Sequence, residues 1–494
     1  MSVHKSLRAS SISAFVNFAL GLISAVAIAR LLTPDQIGVF SIAMSLVGFA
    51  HVMRDFGISQ YLIQLKIINR EALRAAFSAA LCTSWSVALA LVLIAPLAAK
   101  FYRQNGIGEV FLVLALSFAL LPFAANSLSL LRRDMQFERI AVVQIANGLI
   151  STIVTLVLAW RGHGFLSMAW GAVAGNVSNL ALLWFFRPDL ILVAPGRKGL
   201  AQVFRFGGQA SVAAAAQQLA ASGPDLVFGR SLSVEAVAQF NRASSPLAMI
   251  STKINEISLQ VFGPAFARGL REGQSAKDLL HRSICVHSGL QIALLSILSL
   301  VSGPMILFLF GGQWQPAAQL APWVTLWAVV ACPISLVSQA LMSGGFAGAA
   351  VRSSIWSTVA LMLVLSASWW VTLEEVVWLL LLHRLAQLCI YQRALQRCFG
   401  FGWDRLWTAI RPSLWLAVHA VLPALAARWL LYRFVAQPHV LLELVLVGCT
   451  GALAYVVQLR RSMHPIRKEL LAFIPQLAWL LGPGGSVGHT AKSP

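Results

Sequence analysis

Charged side chains are scarce in this chain. They make up 11% of its 494 residues, and Asp and Glu together number 17. Ordinary globular domains carry about 25%, so a soluble enzyme of this length is excluded. No long polar segment interrupts the sequence, which excludes a receptor with a large folded ectodomain. Cysteine is sparse too. The six residues (Cys82, Cys285, Cys332, Cys389, Cys398, Cys449) are dispersed, with no C-x-x-C and no Cys/His cluster at ligand spacing. That argues against disulfides and structural zinc, and no metal or cofactor is expected. None of the Gly-rich stretches reads G-x-x-x-x-G-K-[ST], so the chain carries no P-loop for ATP.

What the chain has instead is apolar sequence: 58% apolar residues and a mean hydropathy of +0.77. A span takes about 20 apolar residues, and roughly fourteen fit: 12–29, 37–59, 75–97, 110–130, 140–160, 166–186, 208–229, 236–261, 284–309, 317–341, 355–371, 374–391, 412–430 and 440–458. The expected fold is an all-α polytopic membrane protein. Lys5 and Arg8 precede the first stretch, which is long for a signal peptide and is read as an uncleaved helix. The net charge of +20 would suggest nucleic acid on a soluble chain, but here the basic residues sit in short loops. With the N-terminus in the cytoplasm, 26 of the 37 Lys and Arg fall on cytoplasmic segments and 7 on the opposite ones. Cytoplasmic loops retain such residues, so both termini are expected there. The exterior loops are short, whereas a membrane-embedded glycan polymerase or ligase needs a sizeable one for catalytic groups. No catalytic residue is expected.

An internal repeat lies at an offset of 200. Arg30-Leu31-Leu32-Thr33-Pro34-Asp35 through Phe40 to Ala43 aligns with Arg230-Ser231-Leu232-Ser233-Val234-Glu235 through Phe240 to Ala243, with identities at Arg30/Arg230, Leu32/Leu232, Phe40/Phe240 and Ala43/Ala243. Six spans separate the copies, an even number, so the halves share one orientation, as in parallel-repeat transporters. This predicts an N-terminal lobe over 1–190 (spans 1–6), a C-terminal lobe over 191–392 (spans 7–12), two appended spans with their flanks over 393–480, and a disordered tail over 481–494.

Polar residues inside spans are costly and tend to face a bundle interior or a watery cavity. Read at helical period, Arg242, Ser245, Met249, Lys253, Glu256 and Gln260 share one face of the eighth span. Ser211, Gln218, Ser222 and Asp225 share one in the seventh, and Gln144, Asn147, Ser151 and Thr155 one in the fifth. Ser13, Asn17, Gly21 and Ser24 line the first, and Asn176 and Asn179 mark the sixth. Two readings stand, a hydrated cavity or hydrogen-bonded glue between packed helices; glue does not call for the guanidinium of Arg242, roughly 9 Å inside its span. Arg54, roughly 26 Å along the second span, could meet an anionic lipid head or be a cytoplasmic flank paired with Asp55. His383-Arg384 is read as interfacial.

Five segments in order carry a family resemblance: Leu31-Leu32-Thr33-Pro34-Asp35-Gln36-Ile37-Gly38; Asp55-Phe56-Gly57-Ile58-Ser59 with Leu62-Ile63-Gln64; Asp225-Leu226-Val227-Phe228-Gly229-Arg230 with Phe240; Phe262-Gly263-Pro264-Ala265-Phe266-Ala267-Arg268; and Leu309-Phe310-Gly311-Gly312-Gln313-Trp314 with Pro316-Ala317. From about residue 10 to about 345 the chain resembles the bacterial oligosaccharide (Wzx-like) flippases, within the multidrug/oligosaccharidyl-lipid/polysaccharide exporter superfamily. The nearest subgroup is that of exopolysaccharide repeat-unit exporters of the colanic acid, succinoglycan and xanthan type. The resemblance implies a bacterial inner-membrane protein that translocates undecaprenyl-pyrophosphate-linked oligosaccharide to the periplasmic leaflet, with membrane lipids and polysaccharide polymerase or export machinery as partners and no nucleic acid. By similarity to the lipid II flippase, Arg242 matches a cavity arginine and Arg54 lies near a basic position. The arginines of that family's first helix are missing here, where Asn17 stands. Arg242, with Lys253 and Arg54, would hold pyrophosphate; Asn17, Gln144 and Asn147 would meet sugar. Asp225 and Glu256 are the ion-coupling candidates, Asp225 being equally readable as a structural partner of Arg230 or Arg242. The rival is an organic-cation exporter on the same fold, disfavoured because Asp225 and Glu256 do not outnumber Arg242 and Lys253.

Overall fold

With no water in the bilayer to satisfy the backbone, an apolar run closes its hydrogen bonds within itself and becomes a helix. The computed structural model describes residues 3–55, 62, 65, 69–188, 193–196, 199–436, 438–462 and 464–473, without the side chains at 3–14, 55, 201–214, 216, 253, 257, 260 and 472–473. No strand occurs among the described residues. The helices are α1 (Val3–Leu31), α2 (Pro34–Asp55), α3 (Arg70–Tyr102), α4 (Asn105–Arg133), α5 (Phe137–Trp160), α6 (Leu166–Phe186), α7 (Leu200–Ser231), α8 (Val234–Arg271), α9 (Ala276–Phe310), α10 (Gln315–Ala331), α11 (Val337–Ser343), α12 (Ala347–Ser366), α13 (Leu373–Phe399), α14 (Trp403–Phe434), α15 (Val440–Arg461) and α16 (Pro465–Phe473). Among the described residues, ten helical segments are long and apolar enough to cross a membrane. The chain is an all-α polytopic membrane protein. The expected tail over 481–494 and most of the segment 56–64 lie outside the described residues.

Two compact units divide the chain. One comprises the sequence up to Gln239 with Ser368–Trp370; the other comprises Phe240–Ala367 and the sequence from Val371. In the first, α3 packs on α4, α5 on α6, α1 on α5 and α2 on α7. Ser368–Trp370 joins it through a 2.6 Å hydrogen bond between the hydroxyls of Ser231 and Ser368. The Arg230 guanidinium adds to this, lying 5.5 Å from the ring centres of both Phe101 and Trp369. In the second unit the buried α9 packs against α10, α14, α15 and α16, and α12 pairs with α13. Within α14 and α15, the guanidinium of Arg428 pairs with Glu443 at 3.0 Å, and the Tyr432 hydroxyl donates to the same carboxylate at 2.9 Å.

The offset of 200 reappears as local geometry. α1 ends at Leu31 and α7 at Ser231; α2 begins at Pro34 and α8 at Val234. Each turn is closed by a hydroxyl N-cap: Thr33 accepts from the Gln36 N–H at 3.4 Å, Ser233 from the Ala236 N–H at 3.0 Å. The N–H groups of Leu32 and Leu232 bond to Ile28 and Phe228 at 2.9 Å each. Ala43 and Ala243 are both fully buried, which accounts for that identity. The two turns also meet: a Cβ added at Gly38 would collide with the carbonyl of Val234.

The twelfth span runs further than its hydropathy suggests. Thr372 and Glu375 cap it reciprocally, and the helix continues to Phe399 rather than ending near 391. His383 therefore lies roughly 15 Å along α13 and is buried against the protein. Arg384 beside it donates to Gln387 at 3.2 Å, and Gln387 donates to Ser357 on α12 at 3.2 Å.

At the turn between α15 and α16, His464 is buried against α9 and α14. Its Nδ1 accepts from the Ile466 N–H at 3.2 Å, which leaves Nε2 to meet the Ser413 hydroxyl at 3.1 Å. Burial pushes its pKa down to about 4 from 6.5.

Two outcomes are expected. Gly38→Val should destabilise the protein by about 1–3 kcal/mol through overpacking, read as a lower thermal midpoint of the purified chain in detergent. For His464 the unfolded chain binds more protons between the two pKa values. Its contribution is thus present above pH 6.5 and is lost as pH falls toward 4. The midpoint should drop across that window in wild type and less steeply in His464→Gln.

Candidate functional site

Arg242 lies eight residues into α8, roughly 12 Å from its start. Its guanidinium sits 4.5 Å from the ring centre of Phe310, the last residue of α9, and 4.9 Å from that of Trp314 in the following turn. Both rings are buried, Phe310 1% and Trp314 0% exposed. Aromatic faces attract a cation by about 2 kcal/mol or more when desolvated. Among the described residues no carboxylate pairs with this guanidinium. The rings stabilise the charge without neutralising it, and the in-plane N–H donors remain suited to an anion.

In the first unit, α2 and α7 share a polar seam. The Ser45 hydroxyl donates to Asp225 Oδ2 at 2.6 Å, and Gln218 donates to Ser222 at 2.7 Å. A Cβ at Gly48 would collide with Gln218, so this glycine lets the two helices close around the amide. The Tyr102 hydroxyl on α3 donates to the Leu226 carbonyl at 3.3 Å. Asp225 thus sits in a helix–helix contact, bound to a serine, while Arg230 is flanked by aromatic rings.

A Cβ at Gly171 on α6 would collide with the Thr155 hydroxyl, and one at Gly175 would lie 3.1 Å from Ser151 Cβ and 3.2 Å from Asn147 Oδ1. Asn147, Ser151 and Thr155 therefore meet α6 closely, while Gln144 is exposed. Asn176 donates to Ser117 on α4 at 3.1 Å. Asn17 lies against Gly148, its Oδ1 3.0 Å from a Cβ placed there. Arg54 is half-buried, and its carbonyl accepts from the Thr83 hydroxyl at 3.2 Å. The side chains of Lys253 and Gln260 lie outside the described residues. Glu256 is exposed on α8.

Beside it, α8 turns a different polar face toward α9. Gln291 donates to Asn255 at 2.8 Å, and His287 bonds to Ser258 at 3.0 Å through Nδ1 and to Ser335 at 2.7 Å through Nε2. Ser335 also donates to the Cys332 carbonyl at 2.8 Å. Its hydroxyl proton is thus used, which assigns the imidazole proton to Nε2 and leaves Nδ1 to accept from Ser258. The sequence held a signal for this network, His287 and Gln291 at i, i+4 in the ninth span.

The sequence of residues 27–319 matches a family described as polysaccharide biosynthesis protein. The chain belongs to that family. Among its relatives, the lipopolysaccharide biosynthesis protein WzxC of Escherichia coli (strain K12) is 24% identical over 341 residues, covering 66% of this chain and 67% of that protein. The succinoglycan biosynthesis transport protein ExoT of Rhizobium meliloti (strain 1021) is 23% identical over 470 residues, 92% of each chain. Among solved structures, the lipid II flippase MurJ in an inward closed conformation superposes with a TM-score of 0.71 at 12% identity, over 91% of this chain and 97% of that one. An inward-facing multidrug resistance MATE transporter of the MOP superfamily gives 0.60 at 14% identity, over 78% and 95%. At such identities the structures speak for the fold alone, that of a polytopic membrane transporter. The oligosaccharide-flippase resemblance carried by the segments from Leu31 to Ala317 agrees with the family match.

Removing the Ser335 hydroxyl leaves a buried imidazole N–H unpaired. Ser335→Ala should cost about 1–3 kcal/mol, whereas Glu256→Gln on the exposed face should stay within about 0.5 kcal/mol; thermal unfolding of the two variants in detergent distinguishes them.

Proposed function

We propose that this protein flips undecaprenyl-pyrophosphate-linked oligosaccharide repeat units from the cytoplasmic to the periplasmic leaflet of the bacterial inner membrane, for exopolysaccharide or lipopolysaccharide assembly. The observation that carries the reading is Arg242: a guanidinium eight residues inside α8, held by the faces of Phe310 and Trp314 and matched by no carboxylate among the described residues. A cation kept in that state suits an anionic substrate, because phosphate oxygens can take up the donors that the rings leave unused. An organic-cation carrier would instead place carboxylates there.

In this reading the protein works by ion-coupled alternating access, with two six-helix lobes, spans 1–6 and 7–12, and α14 and α15 appended. Lys253 and Arg54 add positive charge for the pyrophosphate, and Asn17, Gln144 and Asn147 offer hydrogen bonds to sugar. Asp225, bound to Ser45, is the ion-coupling carboxylate, with Glu256 a second. Both termini face the cytoplasm, in keeping with the 26-to-7 distribution of basic residues. The names of the relatives, drawn from lipopolysaccharide and succinoglycan biosynthesis, support a glycan cargo, and polysaccharide polymerase or export machinery would receive it.

The test is made in cells lacking the protein. Wild type should restore surface polysaccharide. Arg242→Ala should leave unpolymerised, inward-facing lipid-linked repeat units and lower the polymer at least tenfold, and Arg242→Lys should restore part of it. Normal repeat-unit turnover in the deletion, together with new sensitivity to cationic dyes, would overturn the flippase in favour of a cation exporter.

A further inference from the structure

The paired ends of α12 and α13 form an open cleft of about 460 Å³ that the transport reading does not use. Arg352 and Trp356, at i, i+4 on α12, form one wall; Arg393 and Arg397, at i, i+4 on α13, form the other. Ser353 and Ala394, both buried, line it as well, as does Ile390. No acidic residue lines it. Among the described residues none of the three guanidiniums has an ion-pair partner.

Three other arginines around the neighbouring helix ends of the same unit are paired. Arg268 pairs with Glu272 at 2.7 Å, Arg405 with Asp278 at 3.1 Å and Arg282 with Glu469 at 2.5 Å. Helix-end charge explains only part of the difference. Arg397 lies in the last turn of α13, where a cation complements the helix dipole. Arg352 lies near the start of α12, where the dipole gives a cation no such support. The retention of cations in cytoplasmic segments explains why arginines are present, not why three of them converge on one cavity beside an indole. Three like charges around a small cavity repel one another, and an anion seated among them relieves that repulsion. Trp356, 63% exposed, adds the amphipathic ring common at the headgroup level of a bilayer. Basic clefts of this kind between membrane helices suit anionic lipid heads.

We propose that this cleft binds the phosphate head of an anionic phospholipid of the surrounding bilayer, with Arg352, Arg393 and Arg397 on the phosphate oxygens and the acyl chains running along Trp356 and Ile390. The site contains none of the residues assigned to cargo, so it goes beyond the flippase reading and stands or falls separately from it.

The experiment uses the purified full-length chain in detergent and needs no transport. Dioctanoyl phosphatidylglycerol, dioctanoyl phosphatidylcholine and inorganic phosphate are titrated separately, and bound molecules are counted by native mass spectrometry. Wild type should bind phosphatidylglycerol at least tenfold more tightly than phosphatidylcholine. R352Q/R393Q/R397Q should lose that preference, while R282Q/R467Q, outside the cleft, should keep it. If the triple variant does not fold, R352Q and W356A alone should each weaken phosphatidylglycerol binding at least threefold. Equal binding of the two lipids by wild type, or an unchanged preference in the cleft variants, would overturn the proposal. Inorganic phosphate displacing phosphatidylglycerol at equal concentration would assign the cleft to a soluble anion and also overturn it.

Discussion

Between two helices in a bilayer, burying apolar surface gains little, because lipid is as apolar as the neighbouring helix. Close approach and hydrogen bonds must supply the cohesion. That constraint organises the structure. Helices meet where a glycine admits a neighbour's backbone or polar side chain: Gly38 at the Val234 carbonyl, Gly48 at Gln218, Gly171 at Thr155. They are then tied by short polar bonds such as Ser45 to Asp225 and Gln291 to Asn255. A polar residue in a span is therefore first a candidate for cohesion. Only those that such seams leave over are candidates for handling a cargo.

This explains which parts of the fold were legible in the sequence. The offset of 200 could be read because a turn between two spans must solve a local problem, capping a helix whose first N–H groups lack partners. Thr33 and Ser233 solve it with the same chemistry at the same register. The helices were legible for a similar reason, since the bilayer leaves a long apolar run no other conformation. What a helix face touches is a different matter. Periodicity puts Asn147, Ser151 and Thr155 together, but the glycines that receive them are on α6, and nothing in α5 announces them. The same limit hid His287, whose partners Ser258 and Ser335 come from segments 29 and 48 residues away.

The arginine cleft was missed through a more specific substitution of one explanation for another. Residues 342–354 and 392–411 look like cytoplasmic loops, where basic residues serve orientation. The structure carries α12 back to Ala347 and α13 forward to Phe399. Arg352, Arg393 and Arg397 thereby become helical residues with fixed directions, and three loop charges become the walls of one cavity.

Three of the ways in which arginine is held here differ chemically. Around the helix ends near Glu272, Asp278 and Glu469 it is matched by carboxylates, which neutralise it at the surface. In the α12–α13 cleft no carboxylate lines its surroundings. Arg230 and Arg242 follow the third way, each set between two aromatic rings. A carboxylate at either position would compete directly with any incoming anion, and displacing it would leave an unpaired charge in a low-dielectric interior. A ring quadrupole stabilises the cation through its face and leaves the guanidinium edge available, so an anion can be taken up and released without stranding a counter-charge. Under the proposed function, reversible binding of an anion favours arginine over aromatic faces to arginine over acids, and Arg242 is set that way on α8.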